Sequence, residues 1–266
     1  MSDTDSAFDI AKQSLIGSRA HNQDRCQVLR SDSTLLLSIA DGLGGHPRGD
    51  AAAQLLIDVA EHLFRKAEKP LEDPVRFMLR VIGKAHRSIL RFGRRQRPPI
   101  EPRTTAVLAI VQNETLYWSH VGDSRLYLVR NGRVLARTAD HTVTVTVPDN
   151  IGPIPRRTSL TRCLGGLEKP PTTTCAPPMA LQPGDVVLLC TDGLWGQVPG
   201  RHLVSAFHDH RVPIAEQLEQ VSDVAHREAH SDNVTAIALR WNGAGDDALP
   251  PLEARQPDLQ ANINID

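Results

Sequence analysis

Five aspartates stand beside apolar, strand-like stretches: Asp24, Asp41, Asp123 and Asp192 at the ends of such runs, and Asp232 just ahead of one. Two of them open the same local phrase, Ile39-Ala40-Asp41-Gly42-Leu43-Gly44-Gly45 and Cys190-Thr191-Asp192-Gly193-Leu194. A carboxylate at the mouth of a buried strand is costly unless positive charge meets it there. Aspartates arriving from points so far apart suit hard divalent cations, Mg²⁺ or Mn²⁺, which prefer oxygen ligands. The chemistry this points to is metal-assisted hydrolysis. Taken singly, each aspartate has a plainer explanation. Asp-Gly is an ordinary turn dipeptide, Asp123 could close a hairpin, Asp232-Asn233 could end a helix, and Asp24 could be a solvated loop residue. It is the set that carries the inference.

The elements around these residues are legible from periodicity. Strands are expected over Arg25–Arg30, Thr34–Ala40, Thr105–Gln112, Thr115–Val121, Arg125–Arg130, Val134–Thr138, Val186–Thr191 and Val234–Trp241, rich in Val, Ile, Leu and Thr. Gln112-Asn113-Glu114 and Arg130-Asn131-Gly132 read as hairpin turns, the second with the Asn-Gly signal of a tight primed turn. Helical spacing predicts Asp50–Lys66, with Leu55, Leu56, Val59, Leu63 and Phe64 on one face, and Pro74–Gly93, with Val75, Met78, Leu79, Ile82, Ile89 and Phe92. A third pattern covers Ile214–Ala229, with Leu218, Val221, Val224 and Ala225. Many antiparallel strands with paired amphipathic helices imply two stacked sheets sheathed by helices.

The 266 residues carry 30 Lys and Arg against 31 Asp and Glu, a formal net charge of −1, which gives no global electrostatic case for nucleic acid or an anionic membrane. No apolar run is long enough to span a bilayer. Met1–Asp9 is polar and acidic, unlike a secretory signal, and the four cysteines (Cys26, Cys163, Cys175, Cys190) lack CxxC spacing. The expectation is a cytoplasmic protein with reduced thiols. Its parts are a flexible N-terminus (1–9), one domain (10–242) and a flexible tail (243–266).

Arg19-Ala20-His21-Asn22-Gln23-Asp24, Asp41-Gly42-Leu43-Gly44-Gly45-His46, Gly122-Asp123-Ser124-Arg125, Asp192-Gly193-Leu194-Trp195 and Ser231-Asp232-Asn233-Val234-Thr235 occur in that order. Arg103-Thr104-Thr105, Ala139-Asp140-His141-Thr142 and Leu160-Thr161-Arg162-Cys163-Leu164-Gly165 support them. Together, over roughly residues 14–241, they resemble the metal-dependent serine/threonine protein phosphatases of the 2C type, in their bacterial form. The resemblance implies an α+β, four-layer α/β/β/α sandwich: two antiparallel sheets flanked by antiparallel helix pairs, with a metal cleft at one edge. It implies that Asp41 bridges two Mn²⁺ or Mg²⁺ ions, that the Gly42 carbonyl touches one, and that Asp192 and Asp232 complete the other. Asp24 would act through the cluster's waters, Asp123 with Asp192 would hold a third, weaker ion, and Arg19 would bind the substrate phosphate. A water shared by two such ions is a strong nucleophile near neutral pH, so no phosphoenzyme would form. Gly42–Gly45 would let main chain approach the ions, and the planar fork of Arg19 suits a phosphate.

Several positions depart from the family pattern. Leu43 stands where many eukaryotic members have a histidine proposed to protonate the leaving alcohol; His21 and His46 are nearby, and His46 reads better as ordering its loop. Gln23 replaces an acidic residue beside Asp24, and Arg103 replaces a common glycine. The flap, 142–157, reads as short and basic, with Arg156 and Arg157, which would favour acidic phosphopeptides. A basic cluster, Arg91, Arg94, Arg95 and Arg97, suits a solvated helix end, and His86 a packed or surface role. The expected partners are phosphorylated proteins and an opposing Ser/Thr kinase, with no nucleic acid, no membrane and a monomeric state. The alternatives are a catalytically silent phosphatase-like binding module and a different two-metal hydrolase such as a nuclease. Retention of all five aspartates opposes the first, and the absence of a basic stripe with interleaved aromatics opposes the second.

Overall fold

The computed structural model describes residues 7–146, 156–227 and 231–243. In chain order, β1 (Phe8–Leu15), β2 (Asp24–Arg30) and β3 (Thr34–Asp41) precede the helices α1 (Gly49–Lys66) and α2 (Pro74–Arg95). Then come β4 (Arg103–Thr104), β5 (Ala106–Gln112), β6 (Thr115–Val121), β7 (Arg125–Arg130) and β8 (Arg133–Arg137). A hairpin of β9 (Thr142–Thr146) and β10 (Arg156–Leu160) leads to three two-residue strands, β11 (Leu164–Gly165), β12 (Thr174–Cys175) and β13 (Met179–Ala180). Last are β14 (Val186–Cys190), α3 (Asp192–Trp195), α4 (Gly200–Ser205), α5 (Ile214–His226) and β15 (Val234–Trp241).

One sheet runs β1-β15-β14-β7-β8 and the other β12-β6-β5-β3-β2, with β13 also on β6. Strand alternation divides the interior into three cores. Leu35, Leu37 and Ile39 of β3 meet Val187, Leu189, Ile237 and Leu239 of the other sheet between the two layers. Leu36 and Ala40 point the opposite way, onto Leu56 of α1 and Met78 and Ile82 of α2. Leu188, Cys190, Ala236 and Ala238 meet Leu203, Phe207 and Leu218 on the far face. Strands covered on both faces read as continuous apolar runs, which is why β3, β5, β14 and β15 were legible. These are the four layers expected. The second helical layer is the lighter one: α5 with the short α3 and α4.

Both foreseen turns are primed, with φ 49° and 55° at Asn113 and Glu114, and 51° and 69° at Asn131 and Gly132. Differences lie where packing overrides pattern. Leu79 and Val224, assigned to apolar faces, are 44% and 55% exposed. Strand β1 begins inside the expected flexible N-terminus and pairs with β15 along its whole length. Residues 1–6, the tip of the flap segment (147–155), 228–230 at the end of the third helical pattern and 244–266 of the expected tail lie outside the described residues. Among the described residues, no helix is long and apolar enough to cross a membrane.

Candidate active site

Asp41 is the last residue of β3 and Asp24 the first of β2, so Asp24 opens a strand instead of closing one, and the two stand directly opposite in register. Like charges facing one another across an antiparallel pair repel. Asp123 occupies the β6–β7 turn, Asp192 begins α3 straight after β14, and Asp232 precedes β15. One cleft of about 280 Å³ is lined by Asp41, Asp123, Asp192 and Asp232 together with Arg19, His21 and Gly42. Asp24 lies behind this lining, 3% exposed, its Oδ2 accepting a 2.8 Å hydrogen bond from Thr191 Oγ1.

Main-chain bonds fix Asp41. Its N–H donates to Thr105 Oγ1 (2.9 Å), and its carbonyl accepts from Thr105 N (2.8 Å) and Thr104 Oγ1 (2.9 Å). Gly42 needs to be glycine for a reason other than approach to an ion. A Cβ there would lie 2.4 Å from the Gly49 carbonyl group and 2.8 Å from the Gln23 carbonyl oxygen, where α1 packs back to back on the loop. Gly193 is equally constrained, since a Cβ would fall 2.0 Å from the Asn233 carbonyl oxygen. Gly45, by contrast, faces open space.

Asn233 joins the N-terminal loop to the head of β15. Its Nδ2 donates to the carbonyls of Ile16 (2.7 Å) and His21 (3.1 Å), its Oδ1 accepts from Gln23 N (2.9 Å), and its own N–H donates to Asp232 Oδ1 (2.8 Å). Arg19 Nη2 reaches Asp232 Oδ2 at 2.6 Å, with the Arg19 side chain 55% exposed. Trp195 Nε1 donates to the Asp123 carbonyl (3.0 Å) beneath Arg125, whose guanidinium lies 3.4 Å from the ring centroid and forks onto Asp140 at 2.8 and 2.6 Å.

Burial, then mutual repulsion, pushes the carboxyls up. Asp123 rises to about 6, from burial and the neighbouring Asp192. Asp24 rises to about 7, mainly from burial, against the lowering bonds from Thr191 and Thr235. Asp41 moves well above the carboxylate range, from burial and then Asp24, Asp192 and Asp123. Asp192 is raised by burial and Asp232. Among the described residues, no three His, Cys, Asp or Glu side chains stand in ready coordinating geometry; Asp41 and Asp192 share a hydrogen bond instead. Oxygen donors alone, with several buried carboxyls resisting ionisation, fit hard divalent cations in both donor type and charge.

All seven foreseen site positions converge, six lining the cleft and Asp24 backing it. Thr104, Thr105, Thr191 and Asn233 were not assigned roles; their phrases were visible, but hydroxyl and amide partners depend on register. Of the two candidate histidines, His21 lines the cleft, whereas the His46 N–H closes a turn onto the Leu43 carbonyl (3.0 Å). Arg103 now has an account: it pairs with Glu101 (2.8 Å) and packs on Gly166, where a Cβ would meet its Nε at 2.5 Å. His86 is a packed residue, fully buried, with Nδ1 accepting from Gly165 N (3.1 Å). Arg156 and Arg157 of the flap stand in β10, opposite Thr146 and Val145 of β9.

A family model described as Protein phosphatase 2C matches residues 13–234. The serine/threonine protein phosphatase PstP of Mycobacterium tuberculosis (strain ATCC 25618 / H37Rv) is 32% identical over 228 residues, which cover 82% of this chain and 42% of that protein. The chain thus spans less than half the length of that relative. The serine/threonine phosphatase stp of Listeria innocua serovar 6a is 26% identical over 235 residues, covering 84% of this chain and 92% of that one. The catalytic domain of PstP, solved in complex with two manganese ions, superposes with a TM-score of 0.69 at 28% identity, covering 88% of this chain and 97% of that one.

Proposed function

For this chain, which belongs to the protein phosphatase 2C family, we propose hydrolysis of phosphoserine and phosphothreonine in proteins. The observation that carries it is a single cleft in which four aspartates meet one arginine. Asp41, the Gly42 carbonyl, Asp192 and Asp232 would hold two Mn²⁺ or Mg²⁺ ions, with Asp24 behind them, and Asp123 with Asp192 would hold a third. When bound, such ions supply a water nucleophile at neutral pH and neutralise the phosphoryl oxygens.

The chain's own residues do the rest. Arg19 is half exposed and spends its charge on Asp232, so it is free to swing onto a phosphate once that carboxylate is otherwise neutralised, donating through both arms of its fork. Leu43 and Leu160 add apolar side chains to the cleft wall. His21 is the imidazole among the described lining residues and a candidate to give the leaving oxygen its proton, the alternative being a metal-bound water. A phosphatase of this kind would oppose a Ser/Thr kinase in bacterial signalling, as a monomer in the cytoplasm. The free state of Cys26, Cys163, Cys175 and Cys190 accords with that compartment, and cell fractionation with sedimentation tests both points.

The decisive measurement is turnover of a phosphothreonine peptide with Mn²⁺, with EDTA, and by Asp192→Asn. Activity is expected in the first condition alone. Turnover in EDTA would sink the metal assignment, and full activity of Asp192→Asn would sink the ligand set. Silence in all three would return the chain to the binding-module alternative.

A further inference from the structure

Helix α2 carries six arginines and one lysine in 22 residues and no acidic residue, so the remainder of the chain holds −8 to reach −1 overall. At 100° per residue all seven cations fall within a sector about 100° wide, opposite the face formed by Met78, Ile82, Ala85 and Ile89 that enters the core. The row Arg76, Arg80, Lys84, Arg87, Arg91 and Arg95 climbs about 28 Å in steps of three or four residues. Among the described residues none of these six forms an ion pair, and only Arg94 meets a carboxylate, that of Glu168. Like charges at those spacings destabilise a helix. The helix dipole favours the row's C-terminal end, but Arg76 in the first turn opposes it, and no carboxylate among the described residues pairs with the row.

The C-terminal end of α2 lies beside the loop that borders the cleft. There Phe92 lies under the Arg48 guanidinium, 5.6 Å from ring centroid to Cζ. Arg48 caps α1 directly after the loop whose Gly42, Leu43 and Gly44 line the cleft. Arg48, itself paired with Asp50, thus joins the C-terminal end of α2 to the loop at the cleft. Alternate side chains of an extended peptide recur on one face every 6.6–6.8 Å or so, close to the rise between successive cations. Single-stranded nucleic acid would call for exposed aromatic rings to stack on; the aromatic beside the row, Phe92, is half buried under Arg48.

We propose that this face of α2 docks an acidic segment of the phosphoprotein whose phosphorylated residue occupies the cleft. The proposal rests on the phosphatase function above and adds a substrate class to it: phosphoproteins carrying a run of Asp or Glu within reach of the phosphorylated site.

The test pairs two phosphothreonine peptides, one carrying a Glu/Asp-rich tail beyond a spacer of about eight residues, up to ~27 Å when extended, and one with Gln/Asn in its place. Each is assayed alongside p-nitrophenyl phosphate, with the intact chain and with Arg80→Glu/Arg87→Glu/Arg91→Glu. The parent should show a KM about tenfold lower for the acidic peptide at low salt, as a few exposed ion pairs allow. That difference should vanish at high salt and in the variant, with p-nitrophenyl phosphate turnover unchanged. Equal KM values for the two peptides on an active parent would overturn the docking site. So would a variant that loses aryl phosphate turnover while folded. Should the charge reversal unfold α2, Arg→Gln at the same positions keeps the question open to measurement. Fluorescence anisotropy of the acidic tail alone, without phosphothreonine, reads docking even if no phosphopeptide is turned over, which separates failure of this site from failure of the phosphatase function. Tighter binding of a single-stranded oligonucleotide or of phosphatidylglycerol vesicles than of the tail would overturn the choice of a protein segment.

Discussion

Thr191 supports the cleft without lining it. Its hydroxyl donates to Asp24 Oδ2 at 2.8 Å and accepts from Thr235 N at 3.2 Å, inside a fully buried pocket. Thr191→Val keeps the shape and removes that donor. It should cost about 1–3 kcal/mol in urea denaturation, the penalty for a buried acceptor left unsatisfied. By loosening a group that backs the cluster, it should also weaken Mn²⁺ half-saturation roughly 10–100-fold. Thr191→Ser should restore most of both; if Val and Ser behave alike, the hydroxyl is irrelevant and only volume matters. The contrast with the aspartates explains what was legible at this scale. Asp41 and Asp192 announce themselves because each sits in an Asp-Gly phrase ending an apolar run. Thr191 and Asn233 stand in the same phrases, yet their partners lie 44 and more than 200 residues away, and only strand register brings those together.

Among the elements, β7 and β14 run side by side, with Asp123 and Asp192 near one end of the pair and a buried ion pair at the other. Arg130 forks onto Asp185 at 2.8 and 2.7 Å, and the Asp185 side chain is 1% exposed. Arg130→Ala leaves that carboxylate buried and uncompensated, for an expected loss of about 3–5 kcal/mol in chemical denaturation. Arg130→Lys should recover only part, because one ammonium cannot match both oxygens. Since the pair lies far along the strands from the cleft, Mn²⁺-dependent turnover at a permissive temperature should be unchanged; a drop in kcat for the folded variant would contradict this separation. The same logic sorts the elements by how readable they were. Strands sandwiched between two cores leave uninterrupted apolar runs, so β3, β5, β14 and β15 stand out. Strand β1, at a sheet edge, fully buries only Phe8 and carries Asp9, Lys12, Gln13 and Ser14, so no apolar run marks it as a strand. The two-residue strands β4, β11, β12 and β13 are too short for any periodicity: β12 and β13 form on the longer β6, and β4 and β11 pair with each other.

For the molecule as a whole, the cleft's carboxyls make metal-free stability depend on pH in a direction that can be worked out. Asp24 titrates near its ordinary value of 3.8 when unfolded and at about 7 when folded. Between those values the folded state binds the proton that the unfolded state has lost, so this group's contribution is full below about pH 4 and disappears as pH rises through about 7. Buried histidines act in the opposite sense: His86, His120 and His141 are pushed down, chiefly by burial, so acid charges them in the unfolded chain first. A melting curve of the parent alone therefore mixes two slopes, and the informative quantity is a difference. In EDTA, Asp24→Asn should melt above the parent, by a margin that is small near pH 4 and grows up to about pH 7. With saturating Mn²⁺ the order should reverse, because bound cations stabilise the parent by RT ln(1 + [L]/Kd), about 2.7 kcal/mol at a hundredfold excess over Kd, and a neutral amide in place of Asp24 weakens that binding. Calorimetry of both proteins across pH 4–8, with and without Mn²⁺, reads this directly. If Asp24→Asn melts below the parent in EDTA throughout, the aspartate is held by hydrogen bonds strong enough to outweigh its burial, and the cleft needs no cation to balance it.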